Sequence, residues 1–194
     1  MKKNKYLILP FLLLLSNSSL INSKMIGNRV MGNGNWGTHM TPLMTAVSHT
    51  EGPVLEMGCG DFSTPLLHAI CSATKRPLLS TESDKKWMSL FLDLENDWHQ
   101  FQFVPSIDKW AEVGSDVRWS VVFIDHAPSG QRIVDIKRLR GNADIFVIHD
   151  TEANHVYHYE PYISTFKYKY TYKRYKITTA VISDTIDVTK FFAD

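Results

Sequence analysis

Two glycines separated by one residue follow a short apolar run, and this pattern constrains the fold more than any other part of the chain. Residues 53–64 read Pro-Val-Leu-Glu-Met-Gly-Cys-Gly-Asp-Phe-Ser-Thr. Val54 and Leu55 are typical of a strand buried on both faces. Gly58 and Gly60 allow a sharp turn and a close approach of the backbone to a ligand. The pattern predicts a ligand pocket at the carboxyl end of a parallel strand, although a glycine pair alone is also compatible with a plain strand-to-helix turn.

A helix is predicted to begin directly after the glycines. Ser63 or Thr64 can cap it, and Pro65 is tolerated in its first turn. Further along, Leu78-Leu79-Ser80-Thr81 is predicted to form a second buried strand that ends in Glu82. Dinucleotide-binding folds place the acid that binds the ribose about 20 residues after the glycines, so Glu82 is predicted to accept the ribose hydroxyls.

Strand-like and helix-like segments alternate from residue 52 onward, which favours right-handed crossovers on a parallel sheet. A helix is predicted over 84–97, with core residues at helical spacing: Trp87, Leu90, Phe91 and Leu94. A short helix is predicted near 160–166. Two strands joined by a tight turn, 168–173 and 177–182, indicate an antiparallel pair. The parallel strands are predicted near 53–57, 77–82, 101–104, 120–125 and 144–149.

The Glu-x-Gly-x-Gly form of residues 56–60 resembles motif I of class I S-adenosylmethionine-dependent methyltransferases, which have an acid where dinucleotide enzymes carry another glycine. The resemblance implies a Rossmann-like α/β fold: a central, mostly parallel sheet with a C-terminal antiparallel strand pair and helices on both faces. It also implies S-adenosylmethionine as the cofactor, with the ribose on Glu82 and the adenine near residues 106–108. The implied cofactor-binding residues are Glu56, Gly58, Gly60, Ser63, Glu82, Ser106, Ile107, Asp108 and Asp125.

Polar clusters follow the fourth and fifth predicted strands. Asp125-His126 ends one strand, and His149-Asp150-Thr151 ends the next. Ligands of an open α/β sheet bind at these carboxyl ends, so we expect the clusters to converge. Two carboxylates and a hydroxyl suit Mg²⁺ or another divalent cation, which predicts a metal site of Asp125, Asp150 and Thr151. The same acids are also compatible with a structural role in capping turns.

The strand-end pairs Asp125-His126 and Asp150-Thr151 resemble those of catechol-type O-methyltransferases. This chain has Thr151 in place of their amide and Pro128 in place of their catalytic lysine. His126 or His149 is therefore the candidate general base, because an imidazole titrates near neutral pH. The predicted catalytic residues are Asp125, His126 and His149.

A second resemblance spans about residues 50–155. Segments 80–87 and 125–132, with His149-Asp150, resemble polysaccharide O-methyltransferases of the glucuronoxylan type, which work in the secretory pathway behind an N-terminal anchor. The implied acceptor is a hydroxyl on a glycan or a small molecule. Arg132 is a candidate clamp for a substrate carboxylate such as a uronic acid, and is equally compatible with a solvated helix charge.

The first 24 residues are typical of a signal peptide or signal-anchor, because three lysines precede the apolar run 6–15. That run is short for a membrane span, which needs about 20 residues. We therefore expect a secreted or membrane-anchored protein of the secretory pathway, and otherwise a cytoplasmic one whose apolar arm packs on the domain. Residues 25–50 contain the glycine-rich stretch 33–40, and the resemblance implies that they cover the cofactor, although Trp36 and His39 are equally compatible with ordinary packing. Residues 51–194 are predicted to form the methyltransferase domain.

Composition narrows the class of protein further. The 194 residues, 44% of them hydrophobic, fit one domain with its own core, and a net charge of +1 does not indicate a nucleic-acid partner. The basic and aromatic residues of 167–176 favour an edge strand guarded by lysines over a base-stacking surface.

The sequence thus predicts S-adenosylmethionine-dependent O-methylation. Alternatives are a catalytically inactive methyltransferase-like binding module and a nicotinamide-dependent oxidoreductase, which Glu56 disfavours.

Overall fold

A single seven-stranded sheet organises the protein, for which the computed structural model describes residues 34–193. The strand order is β3-β2-β1-β4-β5-β7-β6. Strands β1 to β5 are parallel, and β7 runs antiparallel to both β5 and β6. This confirms the predicted parallel sheet with a C-terminal antiparallel pair. The strands are β1 Val54–Met57, β2 Leu78–Glu82, β3 His99–Phe103, β4 Trp119–Ile124, β5 Ala143–Ile148, β6 Tyr168–Tyr172 and β7 Thr179–Ser183.

Helices lie between the strands and before β1. The α-helices are α1 Met40–Ser48, α2 Ser63–Thr74, α3 Lys85–Met88, α4 Ser129–Leu139, α5 Asn154–Tyr157 and α6 Glu160–Ile163. Short 3₁₀ helices span Gly34–Gly37, Leu92–Leu94, Ile107–Glu112 and Val188–Phe191.

The continuous apolar runs of the central strands are explained by two hydrophobic clusters, one on each face of the sheet. In β4, Val121 and Phe123 belong to the cluster that contains the buried residues of α1 and α2. Val122 and Ile124 point to the other face and pack in the cluster that contains Ile136 of α4. Each fully buried side chain of this kind stabilises the fold by about 1.5–3 kcal/mol.

Arg76 fixes the helix that precedes the sheet. Its buried guanidinium donates to the backbone oxygens of Val47 and Gly52, both at 2.6 Å, and to Oγ of Ser120 at 2.7 Å. Val47 lies at the end of α1, Gly52 just before β1 and Ser120 at the start of β4. These hydrogen bonds set the position of α1, and of the residues just before α1, relative to the sheet.

Two local predictions are wrong. The helix predicted over 84–97 is only the four residues of α3, because side-chain hydrogen bonds replace helical ones further along. Oδ1 of Asn96, for example, accepts from the backbone N–H groups of Trp98 and His99 at 3.0 and 3.1 Å. The turn between β6 and β7 is not tight either, since residues 173–178 separate the two strands.

The predicted signal peptide or anchor, residues 1–24, lies outside the described residues, as do residues 25–33 of the predicted covering segment. Within residues 34–193, no helix is both long enough and apolar enough to cross a bilayer.

Candidate active site

The loop after β1 packs against the end of β4, and Gly58 makes this packing possible. Its φ is +97°, and a Cβ at this position would lie 2.8 Å from the backbone carbonyl carbon of Asp125. At the second glycine, the N–H of Gly60 donates to Oγ1 of Thr64 at 2.9 Å. Gly58 is therefore required by the approach of the protein's own backbone, in addition to any ligand.

Glu56 lies beneath this loop. Its fully buried carboxylate accepts hydrogen bonds from Thr64 at 3.0 Å and from Ser80 at 2.5 Å. Burial raises the pKa of Glu56 to about 7, against the opposing effect of its hydroxyl donors. The side chain does not line the neighbouring cavity, so in this structure it braces the glycine loop against β2 and α2.

Glu82 ends β2 and is held by backbone amides. Oε1 accepts from the N–H groups of Ser83 and Asp84 at 2.7 and 2.8 Å, and Oε2 accepts from that of Cys59 at 3.1 Å. A carboxylate offers about four lone-pair positions, so Oε2 retains capacity to accept from a ribose hydroxyl. Glu82 itself does not line the neighbouring cavity, although its partner Cys59 does, so its role in binding the ribose stays a prediction.

Trp87 was predicted to be a core residue, and that prediction is wrong. The half-buried indole lines a cavity of 290 Å³, and its Nε1–H donates to the backbone oxygen of Cys59 at 2.7 Å. Trp36 and His39, which precede α1, line the same cavity. The segment before α1 thus supplies part of the cavity wall.

The cavity lies where the glycine loop meets the ends of β4 and β5. Among the predicted cofactor-binding residues, Gly60, Ser63 and Asp125 line it. His149 and Asp150 line it as well. One residue of the first strand-end cluster, Asp125, and two of the second, His149 and Asp150, therefore meet at the glycine loop, at the carboxyl edge of the sheet.

Arg132 holds the two acids of these strand ends together. Its side chain forms ion pairs of 3.1 Å with both Asp125 and Asp150, and its Nε donates to the backbone oxygen of His126 at 2.6 Å. Arg132 is only 7% exposed and does not line the cavity. Its predicted role as a substrate clamp needs correction, because its guanidinium is already engaged inside the protein.

His149 lies between the acids and the segment before α1. Its Nδ1 is 3.2 Å from Oδ2 of Asp125, and its Nε2 is 3.0 Å from Oγ1 of Thr38. Burial alone would lower the pKa of His149, but the hydrogen bond to Asp125 and the charges of Asp125 and Asp150 raise it overall. Burial likewise favours neutral Asp125, yet His149 and Arg132 hold the pKa of that carboxyl below its usual value.

Solved structures share this architecture. The cofactor-bound protein Rv0187 from MTB superposes with a TM-score of 0.60 at 15% identity, over 96% of this chain and 100% of that one. Human methyltransferase-like protein 13 in complex with SAH gives a TM-score of 0.56 at 11% identity, over 77% and 82%. TrmK from M. capricolum, in complex with S-adenosyl-homocysteine, gives 0.51 at 9% identity, over 74% and 68%.

The chain has the fold of the class I methyltransferases. At these identities the likeness shows the fold alone. No family model matches the sequence, and no curated protein matches it either.

His39 is a buried histidine at the wall of the cavity. It is 3% exposed, and its ring packs against those of Phe123 and His149 with centroid distances of 4.7 and 4.6 Å. Neither ring nitrogen has a hydrogen-bond partner among the described residues, a situation that costs about 1–3 kcal/mol for a buried polar group. Burial, reinforced by His149, lowers the pKa of His39 to about 3, so the ring is neutral.

His126 does not reach the cavity of this methyltransferase fold. Its buried Nε2 is 3.0 Å from Oδ2 of Asp135, and its ring packs against Trp110 at a centroid distance of 4.2 Å. Burial lowers the pKa of His126 despite the neighbouring acid. His126 is therefore buried between the sheet and α4. Of the two predicted bases, only His149 lines the cavity.

The remaining predicted residues lie away from the cavity. Thr151, a predicted metal ligand, places Oγ1 2.8 Å from Oγ1 of Thr178 and lines a separate cavity of 360 Å³. The predicted trio with Asp125 and Asp150 is therefore not assembled. Three exposed residues follow β3 without lining the 290 Å³ cavity: Ser106, Ile107 and Asp108.

Proposed function

We propose that this protein binds S-adenosylmethionine and transfers its methyl group to a hydroxyl of a sugar or small molecule. The observation that carries the proposal is the cavity in which the motif I loop meets the Asp125–His149 pair. In a doubly wound α/β sheet, this edge is where a nucleotide-type ligand binds.

The lining of the cavity suits a sulfonium cofactor. Trp36, Phe62 and Trp87 supply aromatic surface, and Asp125 and Asp150 supply carboxylates. Aromatic faces and carboxylates both attract a cation. The lone pair left on Glu82 supports binding of the ribose, as argued above.

The chemistry is an in-line displacement. The acceptor oxygen attacks the methyl carbon, the carbon–sulfur bond breaks with its electrons going to sulfur, and S-adenosylhomocysteine leaves. The acceptor must also lose its proton, and the Asp125–His149 pair is the group in the cavity able to receive it. Most of the rate enhancement then comes from aligning the oxygen with the methyl group.

The choice of a hydroxyl acceptor is supported by the polar strand ends. Residues 125–126 and 150–151 resemble the strand ends of catechol-type O-methyltransferases, and residues 125–132 with 149–150 resemble those of the glucuronoxylan type. Of these residues, Asp125, His149 and Asp150 provide carboxylate and imidazole groups beside the cavity, which an oxygen nucleophile needs for deprotonation.

Calorimetry with S-adenosylmethionine and S-adenosylhomocysteine tests the proposal first, with NADH as the contrasting ligand. We expect one molecule of either sulfur compound to bind per chain, and no NADH. Mass spectrometry after incubation with a methyl-labelled donor and a panel of glycans and small alcohols then identifies the acceptor. Absence of binding would reject the proposal, and binding without transfer, unchanged by Asp125→Asn, would instead identify a binding module.

A further inference from the structure

Three side chains of the cavity have the composition of a transition-metal site. His39, Asp125 and His149 each direct a potential ligand atom to a common region, and these atoms lie within 4.8 Å of one another. No other such group of histidine, cysteine and acidic ligands occurs in residues 34–193. The three residues come from the segment before α1, from β4 and from β5, so the fold itself assembles them.

His39 supplies the independent observation that points to a ligand. Its ring is buried at the cavity wall, and both nitrogens lack a hydrogen-bond partner among the described residues. A purely structural histidine normally satisfies at least one ring nitrogen. A neutral imidazole with a free lone pair is also the form in which histidine binds metals.

The surroundings of His149 fit the same interpretation. Nδ1 of His149 and Oδ2 of Asp125 are 3.2 Å apart. Two ligands that each lie about 2.1 Å from one ion adopt this separation when the angle at the ion is roughly 100°. The other nitrogen, Nε2, is 3.0 Å from the hydroxyl of Thr38, which can accept its proton and fix the ring orientation, as the outer partners of metal-bound histidines do.

We propose that His39, Asp125 and His149 bind a divalent transition-metal ion of the Zn²⁺ or Fe²⁺ type. Two imidazoles and one carboxylate select such ions, whereas Mg²⁺ prefers oxygen ligands and would be a poor occupant. Arg132 pairs with Oδ1 of Asp125 and leaves Oδ2 for the ion. The donor set thus replaces the oxygen-only set predicted from the sequence.

The ion would take the position between Nδ1 of His149 and Oδ2 of Asp125. A doubly protonated His149 must release its Nδ1 proton to solvent when the ion binds, whereas a neutral ring binds the ion with its proton on Nε2. Three protein ligands leave coordination positions open toward the cavity, as in catalytic zinc sites. If the proposed methyl transfer is correct, the acceptor hydroxyl would bind there, the ion would lower its pKa and the proton would leave to solvent, with Asp125 and His149 acting as ligands in place of the base described above; this last role rests on the proposed function, but the site itself does not.

Titration of the full chain with Zn²⁺ and Co²⁺, after removal of bound metal by a chelator and without cofactor, tests the site. We expect one ion per chain in calorimetry and a Co²⁺ visible spectrum of a nitrogen- and oxygen-ligated ion. Mg²⁺ should compete poorly. His39→Ala and the isosteric Asp125→Asn should each weaken binding by about a hundredfold or more, and Thr38→Val by roughly tenfold.

His155→Ala is the matched control, because this histidine is exposed on α5 and does not line the cavity. It should leave metal affinity unchanged. Circular dichroism establishes that each variant is folded, and Asp125→Asn keeps the shape of the side chain should His39→Ala fail to fold. Absence of saturable binding, or binding that survives both substitutions, would overturn the proposal. Cofactor binding by the metal-free protein is measured separately, so failure of the metal site and failure of the methyltransferase proposal are distinguishable.

Discussion

Oε2 of Glu82 accepts a hydrogen bond from the backbone N–H of Cys59 at 3.1 Å, which joins the end of β2 to the glycine loop after β1. Glu82→Gln replaces one carboxylate oxygen with an amide that cannot accept from backbone N–H groups. We expect the affinity for S-adenosylhomocysteine to fall by at least about tenfold, and the free energy of unfolding to fall by about 1–3 kcal/mol. Calorimetry and urea denaturation measure the two effects.

Glu112→Gln is the control for this change, because Glu112 is exposed and pairs with Lys109 on the surface. Neither affinity nor stability should change measurably. Equal affinity of the Glu82→Gln protein and the native protein would show that Glu82 serves the loop alone and does not bind the ribose.

Gly58→Ala should strongly destabilise the protein. A Cβ at φ +97° and 2.8 Å from the backbone of Asp125 requires the glycine loop to move. We expect a loss of at least about 2 kcal/mol in the free energy of unfolding, together with loss of cofactor binding. Gly130→Ala in α4 is the contrasting case, because its Cβ would meet nothing within 4 Å. Alanine there should raise stability by up to about 1 kcal/mol, and similar effects at both positions would contradict this account.

Arg132→Met should destabilise the protein by about 3 kcal/mol, because it leaves the carboxylates of Asp125 and Asp150 without their buried cation. Arg132→Lys should lie between this variant and the native protein, since an ammonium group cannot reproduce the forked contacts. Removal of the exposed pair by Arg118→Met should change stability by no more than about 1 kcal/mol. Denaturation curves compare the three. An unaltered Arg132→Met curve with a raised KM for an acidic acceptor would restore the substrate-clamp interpretation.

Much of the fold could be predicted because its signals are local. The apolar runs of β4 and β5 show no alternation, as expected for strands covered on both faces, and polar residues follow each run. The glycine pair marked the turn after β1, and Gly58 does occupy a conformation that other residues rarely adopt. Element type and order followed from these patterns alone.

The contents of the site were harder to predict because its contacts join distant parts of the chain. Thr38 meets His149 across 111 positions in the sequence, and no local pattern marks that approach. The hydrogen bonds of Arg132 and the direction in which His126 points depend on how α4 packs. The available signal for His39 was its place in the glycine-rich segment before α1, where the sequence left packing and cofactor contact equally open.

Acid should destabilise the protein partly through His99. This residue is fully buried, with Nε2 2.9 Å from Oγ of Ser80 and Nδ1 2.9 Å from Nδ1 of His68. Burial, together with His68, lowers the pKa of His99 to about 3. The unfolded chain, in which the pKa is about 6.5, therefore binds more protons than the folded protein between these two values. Stability contributed by His99 is present above about pH 6.5 and is lost as the pH falls through this window, by up to about 1.4 kcal/mol per pH unit.

Glu56 acts in the opposite direction, because burial raises its pKa from 4.5 to about 7 and the folded protein then binds more protons in that interval. Its effect makes the protein more stable as the pH falls from about 7 to 4.5, so in the native protein the two residues partly cancel. His99→Gln removes the contribution of His99 to this pH dependence. Urea denaturation between about pH 7 and 5 measures the effect. The free energy of unfolding of the His99→Gln variant should fall less on acidification than that of the native protein, the slopes differing by roughly 1 kcal/mol per pH unit. The exposed control His155→Gln should leave the profile unchanged. A His99→Gln profile parallel to the native one would mean that His99 binds protons equally in the folded and unfolded states, which would contradict a pKa lowered by burial.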